Sequence, residues 1–185
     1  MKINLKEIIK NKKTYPNWTT STEYELCSEE LDKNLINIYY IINKGVQRKI
    51  QRTFPKIISI DPQFTLAAGL IKGEGSNSLG KSSYRRFTFT NSNPEIINFV
   101  LSELEKKDLF RKKLLIDKSI HLIHTTKKEK EVIKYWSKRL NLPKSKFKCF
   151  DDKMKTSDYG VCHIYISDVL LRRVIDLIIE KIINQ

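Results

Sequence analysis

Residues 68–75 read AGLIKGEG, set between the apolar lead-in FTLA (64–67) and the small polar run SNSLG (76–80). On a helix, Gly69 and Gly73 lie one turn apart on a single face, with Leu66 and Leu70 near that face. Each glycine inside a helix costs up to about 1 kcal/mol relative to alanine, so the pattern asks for a compensating reason. Small residues at this spacing let two helix backbones approach closely, as paired helices in membranes do. This stretch is too short and too polar-flanked to span a bilayer, so its partner is another soluble helix. Glu74 then sits at the helix C-terminus, where the dipole disfavours a carboxylate. If two such helices pair, two glutamates meet, and like charges held close call for a cation. A divalent metal with oxygen ligands answers that need, Mg²⁺ being the usual choice beside phosphates.

Composition narrows what such a site works on. The chain has 185 residues, 40% of them apolar, enough for one domain with a real core and a small appendage. Thirty-five Lys and Arg against 21 Asp and Glu leave a formal net charge of +14, which points to a polyanionic partner. Nucleic acid ranks first, because no amphipathic membrane anchor is visible. No apolar run approaches the roughly 20 residues a bilayer span needs, so no membrane association is expected. The start MKINLKEIIKNKK lacks an apolar signal core. Cys27, Cys149 and Cys162 are odd in number and scattered, which suits a reducing compartment. The expected location is cytoplasmic, or organellar if the gene is organelle-encoded.

Two regions are expected. Residues 1–58 read as a mostly helical N-terminal extension of unknown role. Its main support is the stretch 28–54, where Leu31, Leu35, Ile38, Ile41 and Ile42 recur at helical spacing. From residue 59 the signals are sharper. Asp61-Pro62 and Asn93-Pro94 are helix starts with a capping side chain and a first-turn proline. The first of these helices runs to about Glu74 and the second covers 95–107. Thr126 followed by Glu129 reads as a capping box before a helix over 130–140, and Ser167 precedes an amphipathic helix over 168–183. Strand-like stretches lie at 75–80, 84–91, 111–124, 147–151 and 159–166. The class is α+β, in the order α-ββ-α-β-α-ββ-α, with antiparallel hairpins and helices on one sheet face. In YRRFTFTN (84–91), Phe87 and Phe89 alternate with Thr88 and Thr90, so the phenylalanines face helices and an Arg/Thr face is left open.

The stretch LAAGLIKGEGS (66–76) resembles the signature helix of the LAGLIDADG homing endonucleases, in the variant ending GEGS. The NSNPE turn (91–95) and YGVCHIYISDVLLRRVI (159–175) are similar to family elements in the same order. KEKEVIKYWSKRLNLPKSKF (128–147) resembles an insertion seen in single-motif relatives. The likeness covers about 59–185 and implies the LAGLIDADG fold, a mixed antiparallel sheet with helices on one face. It also implies site-specific double-strand DNA cleavage with Mg²⁺ or another divalent cation, and no small-molecule cofactor. With a single signature, the family pattern implies a homodimer on a long, roughly palindromic duplex. The dimer contact falls on Leu66, Gly69, Leu70 and Gly73.

Carried over residue by residue, the metal-binding acid is Glu74, with the Gly73 carbonyl as a further ligand. A basic residue near the scissile phosphate falls on Lys153, or on Lys155 in the same loop. DNA contacts fall on Ser76, Ser78, Arg85, Arg86, Thr88 and Thr90, and on Arg111, Lys112 and Lys113. The chain departs from the pattern at Lys72, a position often occupied by Asp. The alternative is a non-catalytic DNA-binding regulator, or an intron RNA maturase, on the same scaffold. Histidines and cysteines offer no zinc spacing: there is no CxxC or HxxxH, and His121 and His124, three apart, point to opposite faces of a strand. Tyr135 and Trp136 in a helical pattern read as core.

Overall fold

The stretch LINIYYIINK (35–44) is apolar almost throughout, and a run of that kind is compatible with either a helix face or a buried strand. The pairing with its neighbour over 46–55 decides it, and it buries Ile36, Ile38 and Tyr40 while Leu35 and Ile41 stay exposed. In the computed structural model, which describes residues 1–9, 14–16, 23–44, 46–74, 87–150 and 156–184, this stretch is a strand. The expected helical extension is therefore corrected to a mostly β unit. It comprises β1 (Lys2–Asn4), the short helix α1 (Leu5–Ile9), β2 (Thr14–Pro16), β3 (Glu23–Glu25), β4 (Cys27–Glu30), β5 (Leu35–Lys44), β6 (Val46–Pro55) and β7 (Ile57–Ser59). Strands β4, β5 and β6 form an antiparallel sheet in that order, β2 pairs with β3, and β1 pairs with β7. The physical cause is composition: β-branched and aromatic residues suit a pleated, half-buried surface better than a helix. Gly45, expected to end or interrupt a helix, lies outside the described residues.

The described elements of the second half follow the expected order, with one strand rather than two described between the first two helices. After β7 come α2 (Pro62–Glu74), β8 (Phe87–Asn91), α3 (Pro94–Lys106), β9 (Ile120–Ile123), α4 (Glu129–Leu140), β10 (Phe147–Cys149), β11 (Val161–Ile166) and α5 (Val169–Ile183). The caps do their local work. The Phe64 amide donates to Asp61 Oδ1 at 2.8 Å, and the Glu95 amide to Asn93 Oδ1 at 2.8 Å. Asp168 caps α5, accepting from the Leu171 amide at 2.9 Å. The capping box is corrected: Lys128 occupies the N-cap of α4, and the Thr126 hydroxyl donates to Asp158 at 2.7 Å. The strand expected over 111–124 is confined to β9, preceded by a 3₁₀ turn at Lys112–Leu114. The stretch expected as a strand at 75–80 lies outside the described residues.

The main sheet has the order β10-β9-β11-β8. Strand β11 is antiparallel to both β8 and β9, but β10 runs parallel to β9. The last ββ pair is thus no hairpin, because β9 lies between β10 and β11. One sheet face, carrying Phe87, Phe89, Ile120, Leu122, Cys162, Ile164 and Ile166, is fully buried. Helices α2, α3 and α5 pack against β8, and α4 packs against β10 and α3. Trp136 of α4 is buried as expected, its Nε1 donating to the Tyr159 carbonyl at 2.7 Å.

The N-terminal unit is tied to this body. The Arg52 guanidinium pairs with Asp168 and donates to the Leu109 carbonyl at 2.8 Å. The expected boundary at 58/59 falls inside β7, and buried residues from both halves share one hydrophobic cluster. Among the described residues no helix is long and apolar enough to cross a membrane.

Gly160 enters β11 with φ +68°, and a Cβ there would meet the Ile123 carbonyl oxygen at 2.1 Å. Gly160→Ala combines a left-handed backbone with a main-chain clash, so a loss of about 2–4 kcal/mol is expected in urea unfolding. An unchanged midpoint would contradict the close approach.

Candidate functional site

Helix α2 is apolar on two sides. Phe64, Ala67, Ala68 and Ile71 face the interior and are buried. Leu66, on the other side, is 59% exposed, and Gly69 and Gly73 are exposed beside it. A Cβ built at either glycine meets no atom within 4 Å, so no part of the described chain packs against the two glycines. The face lines an open groove of about 930 Å³, together with Ile60, Leu70 and Ile182. Leu66, Gly69, Leu70 and Gly73, expected at a helix–helix contact, therefore share one solvent-facing surface.

Glu74 is the last residue of α2, exposed, and lines the same groove. Gly73 precedes it in the last turn, where helix carbonyls have no amide further along to accept from. The pair offers a carboxylate and a carbonyl oxygen, the donor types that Mg²⁺ takes. They fit such an ion as a partial ligand set, since octahedral Mg²⁺ also needs water, phosphate or a second chain's oxygens. Among the described residues no group of three or more His, Cys, Asp or Glu is placed to hold a metal. Lys72 is exposed in the last turn of the helix, two residues before its end.

The opposite end of α2 is held differently. Asp61 pairs with Lys107, and this, with the Phe64 amide, holds its carboxyl below the usual carboxylate range. Arg111, Lys112 and Lys113 follow Lys107 closely in the chain. Arg111 and Lys113 line a hollow of about 510 Å³ against Arg52, Thr53 and Pro55 of the N-terminal unit. Glu74 stands at the far end of a 13-residue helix, about 18 Å from that N-terminus by helix rise. The three basic residues are thus not gathered with Glu74. Ser76, Ser78, Arg85, Arg86, Lys153 and Lys155 lie outside the described residues.

Thr88 and Thr90 do project from the sheet face turned away from the helices, but that face is not simply open. Thr88 is 8% exposed, and its Oγ1 has no hydrogen-bond partner. This corrects the expectation of a solvent-facing threonine row, and the register explains why: Thr88 lies opposite Tyr165, and Thr90 opposite His163. Thr90 Oγ1 lies 2.9 Å from His163 Nδ1. Across the other side of β11, His163 is in register with His121 of β9. The His121 ring lies 4.5 Å from Tyr165 and 4.7 Å from Phe150.

This row of rings was not legible as a site in the sequence. A local signal existed, since His163 and Tyr165 alternate with buried Cys162, Ile164 and Ile166. The meeting with His121 depends on strand register, which a single sequence does not print. No protein-family model, curated protein or solved structure matches the chain. The reading of the site therefore rests on its own geometry and on the sequence resemblance.

Burial, then the nearby His121 and His124, lowers the His163 pKa below the ordinary imidazole value. The folded state thus favours the neutral ring. That contribution is complete above the unfolded imidazole pKa and is lost as pH falls through the lower folded value. Unfolding measured between about pH 7 and 5 should show a stability decline that His163→Gln reduces. A second expectation concerns α2: with open space at both positions, Gly69→Ala and Gly73→Ala should each stabilise the isolated chain by up to about 1 kcal/mol. Destabilisation in dilute solution would mean that the glycines serve the monomer.

Proposed function

We propose that the chain is a site-specific double-strand DNA endonuclease of the LAGLIDADG type, working as a homodimer on a long, roughly palindromic duplex. The observation that carries this reading is α2, an exposed glycine-spaced apolar face ending in an exposed carboxylate. A soluble protein has little reason to keep two glycines in a helix and leave them bare, unless another helix closes on them. In the dimer the α2 helices pack through Leu66, Gly69, Leu70 and Gly73, and the two Glu74 carboxylates come together at the helix ends. The net charge of +14 supports a polyanionic substrate.

Within this reading, Glu74 and the Gly73 carbonyl hold the divalent cation. Once bound, the metal supplies an activated water and charge stabilisation at the scissile phosphate. The chain's own contribution is position: close helix packing fixes the separation of the two carboxylates, and hence of the two cuts. Lys153 stands as the basic group assisting at the phosphate. Thr90, Ser76, Ser78, Arg85 and Arg86 serve base and backbone contact, while Arg111, Lys112 and Lys113 add salt-dependent phosphate affinity.

The test is a randomised duplex library incubated with and without Mg²⁺. Cleavage of both strands is expected only with metal, and Glu74→Gln should abolish it while leaving duplex binding within a few-fold. Leu66→Glu should convert a dimer into a monomer by analytical ultracentrifugation and remove cleavage with it. A wild-type chain that is monomeric both free and on DNA would overturn the reading.

A further inference from the structure

The sheet face turned from the helices carries an aromatic row that duplex cleavage does not require. His121 lies between Tyr165 and Phe150, with ring centroids 4.5 and 4.7 Å away. The His163 ring is parallel to Tyr165, 6.1 Å away at an interplanar angle of 9°. Lys148 of the edge strand β10 holds its ammonium over the Phe150 ring, its Nζ 4.5 Å from the centroid, in the manner of a cation over a π face. All four rings are half-buried rather than enclosed. Of the described strand residues on this face (Thr88, Thr90, His121, Ile123, Lys148, Val161, His163 and Tyr165), none is acidic.

Clustered rings on a water-facing sheet are costly unless something covers them, and here charge says what does. A chain of net charge +14, with a lysine beside the rings and no carboxylate among the described strand residues of this face, suits a polyanion whose own flat groups can stack. Duplex DNA keeps its base faces inside the helix and offers only edges in its grooves. Unpaired nucleotides offer both the base face and the phosphate, and aromatic side chains with nearby cations are how sheet surfaces take them.

We infer that the His121–Tyr165–His163–Phe150 row, flanked by Lys148, is a stacking surface for unpaired nucleotides of single-stranded nucleic acid. This does not depend on cleavage, and Glu74 takes no part in it. The rings stack on bases, and Lys148 meets a phosphate of the same strand.

The test is fluorescence anisotropy on the full chain, at one fixed near-physiological salt, with labelled oligo(U) and oligo(dT) strands of about 16 nucleotides. At least one strand should bind more tightly than a duplex of the same length, and each should compete with that duplex for the protein. The two arms separate RNA from DNA, since a preference for oligo(U) assigns the natural ligand to RNA and a preference for oligo(dT) to DNA. Tyr165→Ala and Phe150→Ala should each weaken single-strand binding about 5- to 100-fold, the range expected for one lost base–aromatic stack. Tyr165→Phe, which keeps the ring, should restore it, and circular dichroism checks that each variant is folded. Glu74→Gln should bind single strands like the wild type. The inference is overturned if neither strand binds more tightly than duplex, or if folded Phe150→Ala binds like the wild type. Loss of duplex cleavage with single-strand binding intact would instead count against the endonuclease reading alone.

Discussion

Everything in the second half of this chain is arranged around a helix with two apolar sides. One side of α2, through Phe64, Ala67, Ala68 and Ile71, completes the core beneath the sheet. The other is left to water, with Leu66 exposed and two glycines bare. Burial of apolar surface stabilises at roughly 25 cal/mol per Å², so an uncovered apolar helix face is stabilisation that a single chain leaves unused. The same helix carries its carboxylate at its unfavourable end. Packing and electrostatics thus make one demand: a second surface, and positive charge, at the end of α2.

The ends of α2 are treated oppositely. At the N-terminus, Asp61 caps the helix, accepts from the Phe64 amide and pairs with Lys107, so every local charge is matched. A carboxylate there also complements the helix dipole. At the C-terminus, Glu74 opposes the dipole and faces the groove. A structural helix would be expected to have the first arrangement at its start and a cation at its end. Lys72 supplies part of that cation in the last turn, which makes the following glutamate harder to explain as structure alone.

What was legible in the sequence was what is local. The starts of α2 and α3 were fixed by Asp61 and Asn93, because a cap is an interaction across two or three residues. The order of elements from residue 62 onward was legible for the same reason. What failed depended on partners far along the chain. Residues 35–44 are apolar at both helical and strand periods, and their ten-residue pairing with β6 decided between them. Thr126 looked like a cap, but Asp158, thirty-two residues away, took its hydroxyl. The ring row formed because β11 lies between β8 and β9, an order no spacing rule encodes. Of the candidate site, the α2 face and Glu74 were readable as pattern, while the position of Arg111–Lys113 against the N-terminal unit was not.

Arg52 carries a consequence of its own. Its guanidinium reaches from the N-terminal sheet to Asp168, the residue that starts α5, and to the carbonyl of Leu109. The part resembling a nuclease is therefore splinted from outside by the part that does not. Cutting the chain at residue 59 would sever β7 midway, strip the counter-charge from the head of α5 and bare the helix surface on which α1 rests. The first third of this protein behaves as a brace, and engineering that treats it as a removable tag would be working on a different molecule.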